Sequence, residues 1–158
     1  MKLQMRTYRL SSADVALGRR LFALLVEVFD EPGPTSALNP PEPAQLSDAY
    51  LQKLLANDGF WAFAGFVGEE LVGGLTAHTL PMTRAESAEV FIYDLAVHAD
   101  YQRQGVGRAL VRSLLDAAAE QGIREVFVPA DNEDTHALDF YRAVGGQASA
   151  VTFFAFSR

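Results

Sequence analysis

Residues 91–110 read FIYDLAVHADYQRQGVGRAL. An apolar run, Phe91 to Val97, ends in a short polar link. Gln102, Arg103, Gln104, Gly105, Val106, Gly107 and Arg108 follow, and then a long amphipathic stretch. A strand, a glycine-containing turn and a helix in that order expose backbone N–H groups at a helix N-terminus, where an anion can sit. Gly105 and Gly107 let the backbone approach such an anion with no side chain in the way. Two better-known phosphate loops fail here. A Walker A loop needs Gly-Lys-Ser/Thr, and no Lys-Ser or Lys-Thr pair occurs in the chain. A dinucleotide fingerprint needs a third glycine where Leu110 stands. A glycine pair before a helix is also an ordinary tight turn, so its surroundings must decide.

Asp94 interrupts the apolar run. A carboxylate buried without a partner is costly, so it needs a reason. It either binds a substrate ammonium, takes its proton directly or through water, or is held by a structural hydrogen bond to a neighbouring loop. Asp131, Glu133 and Asp134 form a second acidic group, with Glu31 and Glu89 as lesser candidates. Several carboxylates suit a small polycationic amine, since each charge-assisted contact helps orient it. Asp134 is also placed to cap the helix that follows. His78, His98 and His136 lack the spacing of a metal site, and no metal is expected.

The net charge is −7, which makes nucleic acid an unsuitable partner. Its distribution is uneven. Arg103, Arg108 and Arg112 flank the glycine turn, while residues 131–139 carry four acids and no Lys or Arg. That asymmetry fits an anionic cofactor and a cationic substrate bound at different places. Hydrophobic residues make up 49% of the 158, too many for a disordered chain. The length suits one domain, residues 1–158. No apolar run reaches the ~20 residues that span a bilayer, so no membrane association is expected. The absence of cysteine excludes disulfides and a thiol nucleophile, and fits a cytoplasmic protein.

The elements that must position these residues follow from periodicity. Leu3–Leu10 alternates as a strand. Ser11 or Ser12 caps a helix running to about Phe29. A proline-rich loop covers residues 30–46, and Ser47 or Asp48 caps a helix through Leu55. Phe60–Val67 and Leu71–Leu80 read as a hairpin, and Ala88–Val97 as the next strand. A helix spans Gly107–Gln121 and stops at Gly122. Glu125–Ala130 is a strand, Asp134 or Thr135 starts a helix through Ala143, and Gln147–Phe156 is a final strand. The order β α α β β β α β α β predicts one mixed α/β domain. Pro129 cannot donate to a ladder, so its strand lacks a partner there. Strands that splay apart beyond that point would leave a cofactor slot, although an ordinary edge-strand proline is as good a reading.

The QRQGVG turn and the segment DFYRAVGG resemble the GCN5-related N-acetyltransferases over nearly the whole chain. The segments YLQKLL, FIYDLAV, VPAD and ALDFYRAVGG are similar to the small, type I aminoglycoside 3-N-acetyltransferases. The resemblance implies that family's fold, a mixed and mostly antiparallel sheet with flanking helices. It implies acetyl-CoA as donor and direct acetyl transfer to an amine in a ternary complex. The amine is the 3-amino group of a gentamicin-like antibiotic, or else a polyamine, small metabolite or peptide amine. A non-catalytic acyl-CoA-binding module is the alternative of another class. The resemblance further implies that Leu95, Ala96 and Val97 meet the pantetheine arm, with the N–H of Leu95 or Val97 polarising the thioester. Residues Gln102 to Arg108 would cradle the pyrophosphate, and Tyr141 would protonate the leaving thiolate. The apolar VTFFAF stretch would pair with a second subunit, so a homodimer is expected.

Overall fold

Runs of aromatic, β-branched and small apolar residues form five strands because such side chains pack on a pleated surface. They are β1 (Met5–Arg9), β2 (Phe60–Val67), β3 (Glu70–Pro81), β4 (Ala88–Val97) and β5 (Glu125–Phe127). The computed structural model describes residues 4–29 and 45–158. Glu31 and the prolines at 32–43 therefore lie outside the described residues. The chain divides into two units, Met1–Val128 and Pro129–Arg158.

The first unit holds the sheet, in the order β1-β2-β3-β4-β5. The first four strands pair antiparallel, whereas β5 lies parallel to β4 over only three pairs, Glu89–Glu125 to Phe91–Phe127. Helices α1 (Val15–Phe29), α2 (Asp48–Leu55) and α3 (Val106–Glu120) complete it. Adjacent glycines on β3 show how helices reach both faces. A Cβ on Gly74 would stand 2.1 Å from Leu21 of α1, and one on Gly73 would meet Val106 of α3 at 3.3 Å. Side chains alternate along a strand, so Thr76 and His78 share the α1 face with Gly74. Leu21, Leu75, Leu110 and Leu114 are fully buried in the core.

Helix ends follow local chemistry. Ser47 accepts the Tyr50 amide at the start of α2. Gly122 takes a left-handed φ of 72°, and Ile123 N–H bonds back to the Ala118 carbonyl, which closes α3 as the glycine foretold. Helix α1 begins at Val15, later than the serine cap expected. The Asp14 carboxylate instead turns back to accept the Ser11 amide and hydroxyl.

The second unit carries α4 (Thr135–Ala143). Asp134 caps it by accepting the Ala137 amide. Gly145, at φ 101°, ends it, with Gly146 N–H bonded to the Tyr141 carbonyl at 2.8 Å. The strand expected over Gln147–Phe156 is not formed: residues 147–158 have no regular secondary structure. Val151, Phe153, Phe154 and Phe156 are exposed there. Its apolar, aromatic and β-branched residues suit a pleated surface, but they yield a strand only where a ladder partner is supplied.

Candidate active site

Strand β4 supplies an open edge. The His98 amide donates to the Val72 carbonyl at 2.8 Å. Antiparallel pairing alternates, so Ala96 and Asp94 turn their backbone groups toward β3, while Leu95 and Val97 turn theirs away. Strand β5 stops pairing at Phe91, and among the described residues no strand pairs with β4 on that side from Ile92 to Val97. The Val97 carbonyl on that side accepts the Gln102 side-chain amide at 2.9 Å, which ties the strand end to the turn that follows.

That turn, Gln102 to Gly105, is exposed. Arg103 takes a left-handed φ of 64° and Gly105 one of 90°. A non-glycine residue in that region is uncommon and marks a tightly shaped loop. Gly105 is the N-cap of α3 and offers no side-chain hydrogen bond to the first-turn amides. The amides at this helix start thus face outward without a capping side chain, next to the exposed Arg103 and Arg108. This suits a phosphate. Val106, buried at the head of the helix, anchors the turn to the sheet.

Asp94 is half-buried, and its hydrogen-bond partner is a strand residue, not a neighbouring loop. The Thr76 hydroxyl donates to Asp94 Oδ2 at 2.5 Å. Thr76 is 2% exposed, the one buried polar side chain among the described residues. Burial raises the Asp94 carboxyl above its ordinary value; the Thr76 hydrogen bond and the charge of His78 pull it back in part. Thr76 and His78 were not foreseen as site residues. The signal was faint: two polar side chains, two positions apart, in the apolar run of β3.

A register shift places an extra residue, Tyr93, between the pairs Ala77–Ile92 and Thr76–Asp94. This β-bulge was also not foreseen; it re-aims side chains at the point where β4 loses its neighbour. The Tyr93 ring lies 5.5 Å from His78, whose own ring lies 5.3 Å from Phe60.

The second unit positions the other sequence-derived candidates. Asp131 accepts the Glu133 amide and Asp134 caps α4, so both acids have local structural work. Glu133 is exposed. Tyr141, half-buried on α4, has its phenol pushed up to about 12 by burial and by the Asp134 carboxylate. It is therefore protonated at neutral pH. Among the described residues no group of His, Asp or Glu could hold a metal ion. No helix described is long and apolar enough to cross a membrane. A cavity of about 550 Å³ is lined by residues outside β4, among them Arg9, Ser12, Asn57 and Gln121.

Comparison with known proteins gives these features a family. In a solved structure, the aminoglycoside acetyltransferase meta-AAC0020, from an uncultured soil metagenomic sample, is in complex with sisomicin. It is 32% identical, with a TM-score of 0.82 over 98% of this chain and 97% of that one. The structure of AAC(6′)-Iy with a bisubstrate analogue, CoA-S-monomethyl-acetylneamine, shares the fold at 20% identity. Its TM-score is 0.75 over 98% of this chain and 99% of that one. The ribosomal protein bS18-alanine N-acetyltransferase of Escherichia coli (strain K12) is 31% identical over 70 residues, 44% of this chain and 47% of its own. The chain spans about half the length of the curated relatives it matches. Residues 18–145 match the model of the acetyltransferase (GNAT) family. With the uncapped turn after β4, the open strand edge and this match over most of its length, the chain belongs to that family.

Proposed function

We propose that the protein transfers the acetyl group of acetyl-CoA to an amine of an aminoglycoside, at the 3-amino position of gentamicin-like antibiotics. The observation that carries the acyl-donor half is the pairing of the uncapped Gly105–Val106 helix start with the free backbone edge at Leu95 and Val97. The amides of Gln102 to Arg108 hold the pyrophosphate, and Arg103 and Arg108 add positive charge. Leu95, Ala96 and Val97 line the pantetheine arm, which pairs with the strand as a peptide would. An outward N–H of Leu95 or Val97 stabilises the oxyanion that forms on the thioester carbonyl.

The amine half rests on carboxylates. Asp94 takes the proton of the substrate ammonium, directly or through water. The neutral nitrogen then attacks the thioester carbon, the new C–N bond forms, and the C–S bond breaks. Tyr141 meets the departing thiolate. A phenol near 12 is a weaker acid than a thiol of about 8.5. Tyr141 therefore stabilises the departing sulfur as a hydrogen-bond donor and keeps its own proton; coenzyme A leaves as a thiolate and takes up the proton that the new amide nitrogen sheds. Glu31, Asp131, Glu133 and Asp134 gather the remaining positive charges.

The likeness to an aminoglycoside acetyltransferase over nearly the full length supports this substrate over a peptide amine. The shorter likeness to a ribosomal-protein alanine acetyltransferase supports the peptide reading. A thiol-release assay with acetyl-CoA, run against gentamicin, spermidine and an alanine-initiated peptide, decides between them. Release with gentamicin and acetyl at its 3-nitrogen is expected; release with the peptide alone would reject the aminoglycoside. A homodimer joined through the exposed stretch at Val151–Phe156, residues 1–158 acting as one domain, and a cytoplasmic location complete the proposal.

A further inference from the structure

A regular strand sends consecutive side chains to opposite faces, so a Tyr-Asp pair would be split across the sheet. The bulge at Tyr93 cancels that rule. Thr76 and His78 stand two residues apart on β3 and share one face. Asp94 meets Thr76 through its carboxylate, and Tyr93 meets His78 ring to ring. Tyr93 and Asp94, adjacent in sequence, therefore lie on the same face, beside the stretch of β4 that β5 does not cover.

The two side chains differ in burial. Asp94 is half-buried, whereas Tyr93 is 66% exposed. So exposed an aromatic adds little to the core. It is nonetheless braced: His78 lies 5.5 Å away with its ring plane at 82°, and Phe91 lies 6.1 Å away at 65°. Phe60 extends the row behind His78. A braced, outward aromatic loses little side-chain freedom when a ligand covers it.

A carboxylate beside an aromatic face fits one ligand chemistry well. An ammonium is held by Asp94 and attracted by the ring, and a rigid sugar attached to it lays its C–H face on the ring. An acyclic polyamine offers the charges without the flat apolar face. Resting on the acetyltransferase reading above, we infer that Tyr93 is a substrate-binding residue that selects amino sugars over acyclic polyamines.

Calorimetric titration of the full chain tests this without requiring turnover. Gentamicin and spermidine are titrated separately into the wild type, Tyr93→Ala and Tyr93→Phe. The Tyr93→Ala variant should bind gentamicin about tenfold more weakly. Its spermidine affinity should fall by less, since spermidine loses only the attraction of the ring for its charge, and Tyr93→Phe should bind gentamicin like the wild type. An unchanged gentamicin affinity in Tyr93→Ala, or an equal loss for both ligands, would overturn the assignment, as would no gentamicin binding to the wild type. Equal melting temperatures confirm that the variants fold. Binding without acetylation would leave the Tyr93 assignment standing and remove the enzymatic reading instead.

Discussion

Thr76 Oγ1 lies 2.5 Å from Asp94 Oδ2, joining a buried hydroxyl on β3 to the carboxylate that interrupts β4. The bond opposes the effect of burial, which favours the protonated acid. Thr76→Val keeps the shape and removes the donor, so the Asp94 value should rise further. The acid limb of the kcat/KM profile should move to higher pH in Thr76→Val and return in Thr76→Ser. A limb that stays put in Thr76→Val would show that the bond does not tune the base.

Asp94→Asn should lower kcat by about 10²–10⁴, the usual loss on removing a general base. Its effect on stability has a defined sign. The folded value is raised above the ordinary 3.8, so the folded state binds this proton more tightly than the unfolded chain does. That stability is fully present below the unfolded value and is lost as pH rises through the folded one. Asparagine suffers no such loss. Thermal melting should therefore favour Asp94→Asn most at pH above the folded value, with the gap closing as pH falls.

Tyr141→Phe should depress kcat and spare the KM for acetyl-CoA, because the role proposed for the hydroxyl is on the leaving sulfur and not on the phosphates. With the phenol pushed up to about 12, wild-type kcat should show no alkaline limb from Tyr141 through the ordinary value of 10.0. A limb near 10.0 that vanishes in Tyr141→Phe would contradict that environment.

Gly105 adopts a φ of 90°, and a Cβ there would meet only Met5 Cε, at an ordinary 3.7 Å. The cost of Gly105→Ala is thus conformational, about 1–2 kcal/mol for a left-handed alanine, and it falls on the turn proposed to hold the phosphates. The KM for acetyl-CoA should rise about tenfold, or ~1.4 kcal/mol. Gly105→Asn should rise less, since Asn tolerates this region better. Equal KM values for the wild type and both variants would place the pyrophosphate elsewhere.

Phe154 and Phe156 are 80% and 96% exposed in a single chain. Light scattering should give the mass of a dimer at micromolar concentration, and the double variant Phe154→Asp, Phe156→Asp should give a monomer. A monomeric wild type would remove the proposed subunit contact.

Much of this was legible because it is local. The helix-ending roles of Gly122 and Gly145, the caps at Ser47 and Asp134, and the strand–turn–helix order around Gly105 depend on neighbours within a few residues. Such chemistry acts over one turn and is written in the chain itself. The apolar, aromatic and β-branched runs of β2, β3 and β4 likewise announced the sheet. VTFFAF shows the limit of that logic, because a strand also needs a partner that its own sequence does not name.

The order of residues determined that a helix start bearing glycine and arginine would follow an apolar strand, and that a carboxylate would sit within that strand. Tertiary packing decided the rest. Thr76 became the partner of Asp94 through strand register, eighteen residues away in sequence. The bulge at Tyr93 turned two neighbouring side chains to one face, and the short ladder of β5 ended before Leu95 and Val97. Register and bulges arise from pairing between distant segments, and a slip of one residue would send each of these groups to the opposite face.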